Sequence, residues 1–143
     1  MKKLILLFAV TFSAIPAWSA LDCKGEQGTS SYHVQSLPSR EGQPEVRFQL
    51  SQTAKAQESA QVSAREIEFT TYKGISAMGV QNLHGYATAV VAEGEKPVYL
   101  GNVYLGIQRS ESEVALHVYA VLFPQFAVPE VISLRTLCTE TAE

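Results

Sequence analysis

The residues best suited to chemistry are three histidines, one aspartate, two cysteines and several spaced glutamate pairs. His33, His84 and His117 lie 51 and 33 residues apart, which matches no zinc spacing. Calcium loops need several neighbouring Asp or Asn side chains, and Asp22 is the only aspartate in the chain. A Ser-His-Asp triad would have to recruit that one aspartate or a glutamate, and no Gly-x-Ser-x-Gly elbow is present. Glu66 and Glu68 share one face of an expected strand, about 7 Å apart by strand rise. Their alternation with Ile67 and Phe69 turns them to water. Glu93 with Glu95 and Glu111 with Glu113 fall in expected turns and read the same way. No phosphate-cradling glycine loop or dinucleotide fingerprint occurs. This inventory points away from an enzyme and implies no cofactor and no metal.

Cys23 and Cys138 stand near opposite ends of the mature chain, with no C-x-x-C spacing to suggest redox or metal work. A structural disulfide between them is expected, closing almost the whole domain into one loop. Residues 1–19 read as a secretory signal peptide. Lys2 and Lys3 form its charged start, and Leu4 to Ile15 its apolar run. Ala17 and Ser19 place small side chains before a cleavage point preceding Ala20. The run is too short to span a bilayer, and Asp22 before Cys23 fits a lipid-attachment signal poorly. No transmembrane segment is expected in the mature chain, which is placed in the periplasm or outside the cell. Without Lys2 and Lys3, 9 basic and 14 acidic residues leave a net charge of −5. With no basic cluster, nucleic acid and anionic membrane surfaces are poor partners.

The elements that must position any site are strands. Leu83 to Phe123 contains three runs rich in Val, Tyr and Leu, split by short polar breaks. Such runs suit a pleated sheet, and gaps this short permit only antiparallel pairing. Val46, Phe48 and Leu50 alternate with Arg47, Gln49 and Ser51, which predicts a strand with one wet face. Tyr32 to Leu37, Val62 to Tyr72 and Val131 to Leu137 complete the set. Lys24 to Ser31 and Thr139 to Glu143 read as polar loop and tail. Gln52 to Gln61 is either a short helical turn or a loop. Pro124 to Pro129 reads as an extended corner. In Val62 to Tyr72, Val62 and Ala64 differ in parity from Ile67 and Phe69, which predicts a bulge near Arg65 and Glu66 if all four are core. Residues 20–143 thus form one all-β domain, a small antiparallel sandwich or partly closed barrel of about seven strands, stapled near its termini.

Between Val114 and Phe123 both strand faces are largely apolar. A sheet with one wet face would alternate cleanly, so the second face should be covered by more of the chain, by a ligand or by another subunit. Tyr86, Tyr99, Tyr104 and Tyr119 gather in this central block, and His117 shares the parity of Tyr119. His117 reads as a core or cavity histidine. Together these five residues are the candidate binding surface. They point to an exported, non-catalytic binding protein of the bacterial envelope whose partner is another protein or a second copy of itself. The alternative is a small apolar-ligand carrier built as a barrel.

Overall fold

The computed structural model describes residues 20–38, 42–55, 62–123 and 128–141. The expected signal peptide and the segment Ala56 to Gln61 lie outside them. Eight antiparallel strands follow one another in sequence and in space. They are β1 Ala20–Gln27, β2 Ser30–Ser36, β3 Val46–Lys55, β4 Val62–Lys73, β5 Val80–Ala89, β6 Val98–Arg109, β7 Val114–Leu122 and β8 Glu130–Thr141. The last pairs with the first, from Ala20 opposite Thr141 to Lys24 opposite Leu137. The sheet is therefore a closed up-and-down barrel rather than a sandwich.

Alternation decides what fills it. On β7, Leu116, Val118, Ala120 and Leu122 are buried, as are Val103, Leu105 and Ile107 on β6. Phe48 and Phe69 are 1% and 0% exposed, and these two rings occupy the lumen with Leu50 and Leu83. An eight-stranded barrel is just wide enough to be filled by its own side chains. Thr71 and Thr136, also inward, donate their hydroxyls to the Val46 carbonyl at 2.7 Å and the Leu116 carbonyl at 3.0 Å, so neither buried polar group is left unpaired.

Closing so small a barrel bends its strands sharply. A Cβ on Gly85 would lie 1.9 Å from the Thr70 carbonyl oxygen, and one on Gly101 1.9 Å from that of Val121. Only glycine permits this approach. Beside Gly101 the β5–β6 register shifts: Ala87 pairs with Gly101, but Thr88 pairs with Tyr99. The extra residue, Leu100, packs against the core.

The eight strands are close to the seven or so expected, and the fold corrects three local readings. The missed element is β1 with the start of β2, read as loop because Lys24 and Glu26 face outward and only Leu21 and Cys23 are buried. Thr139 to Thr141 belongs to β8 rather than to a tail. The β3–β4 ladder runs without a shift, so there is no bulge at Arg65. Ala64 is exposed, and the inward position at 65 is held by arginine itself. Arg65 donates from Nε to Gln52 Oε1 at 2.6 Å and from its two terminal nitrogens to the Glu130 carboxylate. Gln52 in turn donates to the Tyr32 hydroxyl at 3.2 Å. This chain of polar groups reaches from β2 across to β8 and plugs one mouth of the barrel, below the hairpin loop that joins β5 and β6.

Cys23 and Cys138 are bonded, as expected, and are direct register partners in the β1–β8 seam. The bond spans 115 residues. Loop-closure entropy for that length predicts stabilisation of about 4–5 kcal/mol. Replacing both cysteines with alanine should lower the unfolding free energy by about that amount in guanidinium titrations. An unchanged midpoint would mean that the seam holds by backbone pairing alone.

Candidate functional site

The outward side chains divide the barrel into two halves. On β1 to β4 they are Lys24, His33, Gln49, Ser51 and Glu66, a water-facing set. On β5 to β8 the outward positions include Tyr86, Tyr104, His117, Tyr119, Val121 and Val131. These four strands carry only four Asp, Glu, Lys or Arg residues: Arg109, Glu130, Arg135 and Glu140. Each is paired. Arg109 donates to Glu140 at 2.9 Å, Arg135 to Glu113, and Glu130 accepts from Arg65 inside the mouth. Among the described residues of these four strands, no Asp, Glu, Lys or Arg is left unpaired.

Register aligns the aromatic groups. Tyr72, His84, Tyr104, Tyr119 and Ser133 stand opposite one another across β4 to β8. Tyr104 and Tyr119 have ring centroids 6.4 Å apart at 46°, a tilted pair within the favourable range. They stay 56% and 47% exposed, so nothing among the described residues covers them. Along the strands beside them, Asn82, Gly106, His117 and Arg135 form the next row. Gly106 adds no side chain there, and the gap opens into a groove of about 560 Å³ lined by Val80, Asn82, Tyr104, His117, Tyr119 and Arg135.

Of the five expected binding residues, this groove gathers Tyr104, His117 and Tyr119. His117 is exposed on the groove wall rather than in the core. Tyr86 lines a second depression of about 260 Å³ beside the half-buried Arg47–Glu68 ion pair, whose atoms are 2.8 Å apart. Tyr99, 56% exposed, sits at the β5–β6 loop and donates its hydroxyl to Asn102 at 2.9 Å. Sequence reasoning missed Gly106, Val80, Asn82 and Arg135. A glycine inside a strand of alternating large residues was the one available signal.

Tyr72 donates to Glu45 at 3.2 Å; desolvation and the adjacent carboxylate push its phenol above the usual range, so it remains a donor at neutral pH. His33 and Asp22 form a hydrogen-bonded pair at 2.7 Å on the polar half. Ser51 stands opposite His33 in the ladder, but no hydrogen bond joins them, so the arrangement stops at a dyad. Among the described residues no cluster of three His, Cys, Asp or Glu could hold a metal ion. No helix among them is long and apolar enough to cross a membrane.

The fold and face define an eight-stranded antiparallel barrel with a filled interior and one aromatic side whose strand-borne ions are paired. Comparison with protein-family models, curated proteins and solved structures finds no match.

The Asp22–His33 pair gives a pH prediction. The hydrogen bond from His33 holds the Asp22 carboxyl below the usual carboxylate range, against a smaller opposing effect of desolvation. A depressed folded-state pKa adds stability that is present above the unfolded value, near pH 4, and is lost as pH falls through the folded one. Asp22→Asn should therefore be slightly less stable than wild type at pH 6. The difference should shrink below about pH 4 and vanish once Asp22 is protonated. Urea midpoints measured from pH 2 to 7, if offset equally throughout, would rule this out.

Proposed function

We propose that this chain is an exported, non-catalytic interaction protein of the bacterial envelope, and that its partner is a protein, another chain or a second copy of itself, met by the outer face of β5 to β8. The observation that carries the reading is the exposed Tyr104–Tyr119 pair on four strands whose own ionic groups are all paired. Aromatic enrichment with depletion of free charge is the composition of a protein-binding core. Tyrosines also dominate the residues that carry binding energy. Export is supported by the signal-like residues 1–19 and by a disulfide that persists in oxidising compartments. The packing does not favour an apolar ligand held inside the barrel, because Phe48, Phe69, Leu50 and Leu83 already occupy that space.

The test compares wild type with a Tyr104→Ser, Tyr119→Ser double variant. Both side chains are about half exposed, so the variant should fold with its unfolding free energy within about 1 kcal/mol of wild type. Native mass spectrometry of protein purified gently from the envelope should show a protein complex for wild type and its loss in the variant. A complex that survives both substitutions removes this face from consideration. A bound lipid or pigment in place of a protein would favour the carrier.

A further inference from the structure

One segment of the fold is strained without any return from its own packing. Ala77 and Val80 exchange two backbone hydrogen bonds, of 3.1 and 3.0 Å, around Met78 and Gly79. Met78 has φ +53° and Gly79 φ +76°. Two successive left-handed residues make a type I′ turn, whose first central position ordinarily holds Asn, Asp or Gly. A methionine there is disfavoured. Yet Met78 is 100% exposed and Ile75 86%, so neither side chain contributes to the core. Strain kept without a packing benefit marks a displayed residue. The tip is also held in place: Asn82 donates its side-chain amide to the Ile75 carbonyl at 2.9 Å, and the Gly74 amide donates to the Asn82 carbonyl at 2.8 Å.

This finger is continuous with the groove, since Val80 and Asn82 belong to both. The groove floor at Gly106 is bare: a Cβ there would already meet Val80 Cγ1 at 3.4 Å. The geometry points to a second copy of this chain as the occupant, with the Met78 finger of each copy entering the Gly106 groove of the other. The inference rests on the reading of the aromatic face as a protein-binding surface.

Three arguments select a second copy. Strand rise puts the tip roughly 13 Å from Gly106, so a two-fold axis lying in the face near Val80 makes both insertions at once. A symmetric contact also sets identical charges against each other. The chain carries −5 without Lys2 and Lys3, but the strands of this face hold only paired ions, so meeting itself there brings little like-charge repulsion. Finally, a barrel surface is convex, so two faces pressed together would touch along a line unless a projection fills the depression. Methionine is suited to that, being unbranched and favourable beside tyrosine rings. A patch four strands wide and eight residues long projects to roughly 500 Å² per copy. Twice that is the low end for a specific interface, so the dimer should be weak and reversible.

The experiment is sedimentation equilibrium of the mature protein from about 1 to about 500 µM, the range where interfaces of this size dissociate. Wild type should fit a monomer–dimer equilibrium. Met78→Asn places a residue the turn prefers, so its melting temperature should equal or exceed that of wild type while its dimer Kd rises at least about tenfold. Gly106→Leu, which fills the groove, should weaken the dimer comparably, and Met78→Leu should retain it. A chain monomeric at the highest concentration overturns self-docking; the aromatic face is then judged separately by whether the tyrosine double variant loses a different protein. A dimer that Met78→Asn leaves within about twofold of wild type, but that the tyrosine double variant abolishes, overturns the finger and keeps the face.

Discussion

An antiparallel sheet of eight strands has two open edges until its first and last strands meet, and each edge is a row of unpaired backbone groups. Here the meeting of β1 and β8 removes both edges and encloses the inward side chains in one step. It is also the costliest contact to form. All seven other pairings are between sequence neighbours, whereas this one joins residues more than a hundred positions apart. β1 brings little to it in apolar area, with Leu21 and Cys23 as its buried residues. The disulfide sits at that weak point. By removing the entropy of the longest loop, it lets a short and mostly polar strand complete the barrel.

Closure around Phe48 and Phe69 also determines where function can reside. A barrel of this strand number either packs its lumen or keeps room for one small ligand, and two buried rings choose the first. At one mouth the Tyr32–Gln52–Arg65–Glu130 chain of hydrogen bonds extends the filling to the rim. Any recognition is thus left to the outer surface. Apolar residues point inward, and on β1 to β4 Lys24, Arg47 and Glu66 point outward, so this half reverses the polarity of barrels that sit in lipid.

Much of this could be read from the chain, and the failures have identifiable causes. The alternation of β3 named Phe48 and Leu50 as inward correctly, because every second side chain there is large and apolar, whereas β7 is apolar on both faces and its alternation left the inward one open. Arg65 defeated the same rule: an inward arginine at a barrel mouth breaks the pattern while keeping the register, and parity alone mistook it for a bulge. The true irregularity, at Leu100 beside Gly101, arises from curvature that only closure imposes. The central tyrosines were legible as a set on the sheet because parity fixes which side of a sheet a residue takes, but His117, read as a core or cavity residue, lies exposed. Gly106 was not legible as the groove floor, since a depression depends on three neighbouring strands. Nor was the turn at Met78 and Gly79: Gly74 and Gly79 both punctuate that loop, and only the Ala77–Val80 pairing shows which one turns the chain.

The doubly apolar character of β7 needs no second layer to explain it, and the choice of residues on its outer side says why. Leucines and isoleucines there would form a patch that associates indiscriminately. Tyrosine presents a comparable ring area while keeping its hydroxyl in water, and Tyr104 and Tyr119 shield part of each other in the free chain. The unpartnered state therefore remains tolerable, which a reversible contact requires. The Arg109–Glu140 and Arg135–Glu113 pairs sit on the side of the groove nearest the β6–β7 turn and form a charged rim beside it. In the proposed contact, apolar rings flanked by satisfied ions would disfavour a partner that brings an unmatched charge, because that charge would lose its water and find no free counterpart.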